Sequence, residues 1–99
     1  MTTFAVIREA GRAWRDGGIF DQPRADDHAQ FMSSLAEDGF VVLAGPLAGS
    51  EAGRVRALVI VDADGEAEIE RRFADDPWVR AGLLATVSIE PWQIFVRAA

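Results

Sequence analysis

Apolar and polar residues follow two spacings along this chain, and the switches between them mark its elements. Residues 3–8 (TFAVIR) form a short apolar run fit for a buried strand. Residues 9–23 (EAGRAWRDGGIFDQP) are rich in glycine and polar residues and read as a loop. Loops that long are mostly functional or mobile, and Trp14, Ile19 and Phe20 predict that this one packs onto something. Over residues 24–38, His28, Phe31, Met32 and Leu35 recur at i, i+3, i+4 and i+7, one face of a helix. Asp26 and Asp27 suit its first turn and Gly39 its end. Residues 40–47 (FVVLAGPL) predict a strand broken at Gly45-Pro46, followed by a polar turn over 48–54. Residues 55–62 (VRALVIVD) predict the next strand, and residues 66–73 a short helix with Ile69 and Phe73 at i, i+4. Pro77 disfavours helix in the residue before it, residues 79–83 suit a further helical turn, and residues 84–90 (LATVSIE) read as the last core strand. Residues 91–97 remain as a tail or edge segment.

The resulting order, β-α-β-β-α-β, is the ferredoxin-like arrangement of the α+β class: one antiparallel sheet with both helices on one face. With 99 residues there is room for one domain, residues 1–99. In residues 55–62, Ala57, Val59 and Val61 lie on one side and Leu58 and Ile60 on the other. In residues 40–43, Phe40 and Val42 oppose Val41 and Leu43. Two helices cover only one face of a sheet. The other apolar face predicts a partner, and a second copy of the same sheet, giving a homodimer, is the simplest.

Composition removes several function classes. There is no cysteine, so disulfide scaffolds, thiol catalysis and cysteine–zinc sites are excluded. A single histidine excludes a multi-histidine metal site within one chain. The formal charge is −6, and the ten basic residues, all arginine, are scattered, which argues against nucleic-acid binding. No apolar run reaches the ~18 residues of a membrane span. With no basic segment ahead of a long apolar one near the N-terminus, the cytoplasm is the expected location.

The candidate chemistry centres on His28. An imidazole exchanges protons near neutral pH, and a place near a helix N-terminus favours its neutral form; the plainer reading is a half-buried histidine completing an apolar stripe. Asp76, in Asp75-Asp76-Pro77-Trp78, either caps a turn or faces His28 and fixes its tautomer. Gly45-Pro46 is either a strand end or a place where backbone lets a ligand approach. Trp78 and Trp92, each after a proline, suit core or interface anchors, and less often pocket walls.

Taken together these pieces resemble the YCII-related (YciI-like) proteins. The resemblance is carried by His28 opening a helix, Gly39 ending it, Ala44-Gly45-Pro46, Asp76-Pro77-Trp78, Ala81-Gly82 and Pro91-Trp92. It spans roughly residues 28–95, and the order and spacing of the elements make it specific. It implies a dimeric α+β barrel, two ferredoxin-like subunits paired sheet against sheet, and a pocket with a paired His28 and Asp76. Some members of the family are associated with dehydrochlorination of aromatic intermediates, and muconolactone isomerases are structural relatives. Residues 9–23 depart from the family pattern. Arg24 lies four residues before the histidine rather than three, a turn of about 100° on a helix.

The resulting expectation is a cofactor-free lyase or isomerase acting on a small organic substrate, anions included. His28 and Asp76 would be catalytic, and Gly45, Pro46, Trp78 and Arg24 would bind substrate. The alternative is a non-catalytic ligand-binding or dimeric structural module in which the His–Asp pair is a structural hydrogen bond. A third reading is an accessory protein whose dimer surface is its function.

Overall fold

Residues 1–98 are described by the structure, a computed structural model. Its elements are β1 (Thr2–Ala10), α1 (Ala25–Glu37), β2 (Val41–Pro46), β3 (Arg56–Ala63), α2 (Glu66–Phe73), a one-turn α3 (Pro77–Arg80) and β4 (Leu84–Pro91). The four strands form one antiparallel sheet in the order β2-β3-β1-β4. This is the α+β, ferredoxin-like architecture that the hydrophobic spacing predicts.

The central strand β1 buries every second side chain. Phe4, Val6 and Arg8 face the helices and are buried, paired with Val61, Val59 and Ala57 of β3. Leu35 of α1 and Ile69 and Phe73 of α2 pack onto this face with Phe40 and Val41. Burying one such side chain stabilises by ~1.5–3 kcal/mol. Phe40 and Phe73 meet edge to face with centroids 5.8 Å apart, and the Arg72 guanidinium lies 4.4 Å above the Phe40 ring. A second cluster, Trp14, Val55, Trp78, Leu83 and Leu84, sits at the other end of the sheet. Trp14 belongs to the glycine-rich loop, which therefore does pack onto the body of the protein.

Four details differ from the sequence expectation. The strand is not broken at Gly45-Pro46: β2 runs through both, with Gly45 opposite Leu58 and Pro46 opposite Ala57. β2 is an edge strand and Pro46 is its last residue, where a missing N–H costs little. The irregularity lies instead between Val41 and Leu43. It places Val41 with Val61 on the helix face and Leu43 with Ile60 on the open one, so simple alternation fails there. Glu9 and Ala10 belong to β1, and Ile19–Asp21 forms a 3-10 turn, which shortens the loop. The helical turn expected at 79–83 begins earlier, at Pro77. On the open face Ala5, Ile7, Leu58 and Ile60 lie together, and Leu43 is 60% exposed.

Gly11 joins β1 to the α3–β4 corner, with its N–H donating to the Leu83 carbonyl at 2.8 Å. A Cβ there would collide with the backbone carbonyl oxygen of Gly82. Gly11→Ala is therefore expected to destabilise by ~1–3 kcal/mol, and about 4–8 °C of melting temperature per kcal/mol makes the loss visible in a thermal melt.

Candidate active site

Asp76 is the residue that the fold brings to the centre. It ends the segment after α2 and caps α3: its Oδ1 accepts from the Trp78 backbone N–H at 2.9 Å, with Pro77 at the first helical position. The side chain is completely buried. Arg8, 1% exposed, donates from Nη2 to Oδ2 at 3.0 Å. His28 Nδ1 lies 2.9 Å from both carboxylate oxygens.

These contacts favour an ionised Asp76. Burial pushes the Asp76 carboxyl up, but the hydrogen bond from His28, the charges of His28 and Arg8 and the Trp78 N–H outweigh it and hold the group below the usual carboxylate value. An ionised carboxylate only accepts, so His28 must donate from Nδ1–H. The network thus places the hydrogen on Nδ1, and in the neutral ring that leaves Nε2 as the free nitrogen. Burial lowers the Arg8 pKa while Asp76 supports its charge, and an arginine stays protonated under such conditions. The Arg8 guanidinium also lies 4.3 Å above the Phe73 ring.

Trp78 fixes the imidazole plane. The two rings stack at 4.0 Å with 4° between planes, and Trp78 is held by its Nε1–H donating to the Pro23 carbonyl at 2.9 Å and by Trp14 edge-on at 5.5 Å. The His28 side chain keeps 18% of its surface exposed. It lines a cleft of about 240 Å³ with Arg8, Ala29, Met32, Gly45 and Val59 among the other walls. That is smaller than the ~300–1,000 Å³ of sites for drug-sized ligands, and suits a single ring. A larger groove of about 480 Å³ runs between α2, α3 and β4, lined by Phe73, Val79 and Leu84 with Arg12 and Glu70. It contains neither His28 nor Asp76, whereas His28 lines the smaller cleft. Among the described residues no three histidine, aspartate or glutamate side chains gather to hold a metal, and no helix is long and apolar enough to cross a membrane.

The residues expected around a substrate separate. His28 and Asp76 meet as drawn, and Gly45 lines the cleft, whereas Pro46, Trp78 and Arg24 are not among its walls. Trp78 stands buried behind the imidazole. Arg24 caps α1 in a left-handed conformation, φ 59°, and its Nε donates to Asp27 at 2.9 Å on an exposed surface. Facing outward, it does not serve as the anion ligand of this cleft. The sequence reading missed Arg8. Its signal was there: Phe4, Val6 and Arg8 share one side of a strand, and a charged residue in a buried register needs a partner.

Because the Asp76 carboxyl titrates lower in the folded protein than in the unfolded chain, its stabilisation is present above the ordinary value of ~3.9 and is lost as pH falls through the folded one. Asp76→Asn leaves Arg8 buried and unpaired, and is expected to cost ~3–5 kcal/mol at pH 7. In urea unfolding the gap between variant and wild type should narrow below about pH 4 as the wild-type carboxyl itself protonates.

Comparison with known proteins agrees with this fold. No curated protein matches the chain. Among solved structures it is similar to 5-chloro-2-hydroxyhydroquinone dehydrochlorinase (TftG) from Burkholderia phenoliruptrix AC1100, in complex with 2,5-dihydroxybenzoquinone. The TM-score is 0.61 at 24% identity, over 91% of this chain and 93% of that one. The model of the YCII-related domain matches residues 20–93, most of the sheet and all of the His28–Asp76 pair, and the chain belongs to the YCII-related domain family.

Proposed function

We propose that this protein is a cofactor-free acid–base enzyme of the lyase or isomerase type, acting on a small one-ring organic molecule. His28 is its general base and acid, and Asp76 orients the imidazole. One observation carries the reading: Asp76 takes Nδ1–H and leaves Nε2 as the free nitrogen of a ring that lines the cleft. A base so held needs no reorientation at the moment of proton transfer, and Asp76 stabilises the imidazolium that forms. The size of the cleft supports a single-ring ligand. The dehydrochlorinase whose fold is similar was solved with one such molecule, and loss of HCl from an activated ring begins or ends with a proton transfer that this pair can perform.

A second reading keeps the pair as a structural bond in a ligand-binding or dimeric module, and the complete burial of Asp76 favours it. The two separate in His28→Gln. As a base, His28 supplies ~10²–10⁴ in rate, so chloride release from 5-chloro-2-hydroxyhydroquinone should fall by that factor while the melting temperature stays within a few degrees of wild type. A variant that melts ten or more degrees lower, with no chloride released even by wild type, would move the assignment to the structural role.

The open sheet face supports a homodimer in this reading. Leu43, Leu58 and Trp92 present apolar surface on or beside it, with Leu43 and Trp92 exposed by 60% and 45%. A stable dimer buries ~800 Å² per partner. Light scattering at micromolar concentration should give twice the chain mass for wild type and a monomer for Leu43→Arg; a monomeric wild type removes the dimer from the proposal.

A further inference from the structure

Arg8 and His28 are the two charged or titratable side chains among the walls of the cleft. A guanidinium carries five N–H donors, and Arg8 uses few of them. Nη2 has Asp76, Nη1 reaches only the Met32 sulphur at 3.5 Å, and Nε is buried with no hydrogen-bond acceptor. Sulphur is a weak acceptor. Buried donors are nearly always paired, so an under-used cation bordering a cleft calls for an explanation.

The charge balance supplies one. Arg8 and Asp76 cancel, and a neutral His28 adds nothing. The first turn of α1 carries Asp26 and the exposed Arg24–Asp27 pair, which is neutral in itself. A ligand that hands a proton to His28 creates an imidazolium and an oxyanion. Asp76 already faces the imidazolium and Arg8 already borders the space left for the oxyanion, so the balance is kept. A monoanion arriving without a proton would leave the apolar cleft with a net charge, which burial penalises.

We infer that Arg8 is an oxyanion-binding residue, and that the cleft takes a one-ring compound with a weakly acidic hydroxyl, a phenol or an enol. The ligand O–H bond breaks, the Nε2–H bond forms, and the electron pair left on oxygen is held beside the Arg8 guanidinium. The inference rests on His28 being the base.

The test uses 4-nitrophenol, whose phenolate absorbs in the visible, at a pH where the free compound is mostly protonated. Bound to wild type it should show at least a tenfold higher phenolate-to-phenol ratio than in buffer, and bind at least tenfold tighter than 4-nitroanisole, which has no hydroxyl proton. Arg8→Met should lose both effects and Arg8→Lys, which keeps the charge, should retain the colour. Should Arg8→Met fail to fold, equal affinity of wild type for the two probes overturns the inference by itself. Colour lost in His28→Gln but kept in folded Arg8→Met also overturns it, and leaves the base standing. Colour lost in Arg8→Met but kept in His28→Gln upholds Arg8 and removes His28 as the acceptor of the proton.

Discussion

A carboxylate taken wholly out of water must be compensated on every side, and the structure is organised around that requirement at Asp76. Removing an ion from water costs several kcal/mol even after relaxation. The cost is offset here by three elements at once: an arginine from β1, a histidine from α1 and a backbone N–H of α3. None of them is near Asp76 in sequence except the last. The group therefore ties the central strand, the long helix and the α3 corner into one geometry, and a shift of any of them leaves a buried charge short of a partner.

Capping and chemistry are usually offered as competing explanations for an aspartate before a proline. Asp76 caps α3 and at the same time holds two side chains, with different donors sharing its two oxygens. Oδ1 takes the Trp78 N–H, and that bond fixes the indole on which the imidazole stacks. Oδ2 takes Arg8, and His28 approaches both. The backbone role thus orients the ring that the side-chain role polarises. Trp78 in turn is anchored by the Pro23 carbonyl and by Trp14. The glycine-rich loop so becomes the outer support of the histidine rather than a wall of the cleft.

The two apolar clusters meet at this point. Arg8 lies against Phe73 of the first, and Trp78 belongs to the second. A polar pair placed between two packed clusters has little room to relax, which suits groups whose work depends on fixed geometry.

Local pattern determined most of the fold. The helix spacing of His28, Phe31, Met32 and Leu35, the i, i+4 pair Ile69–Phe73 and the apolar strands are readable because side-chain period follows directly from backbone geometry. His28 and Asp76 were nameable as candidates because one is the lone imidazole and the other precedes Pro77 at a turn. Their contact was not determined by spacing, since 48 residues separate them and only the packing of α1 beside α3 closes the gap. The register of β2 escaped the pattern because the irregularity between Val41 and Leu43 is set by pairing with β3. Arg24 was misplaced because a left-handed cap turns its side chain to solvent. Arg8 was overlooked because a strand shows that a side chain is buried, whereas its partner lies 68 residues away and exists only once the chain has folded.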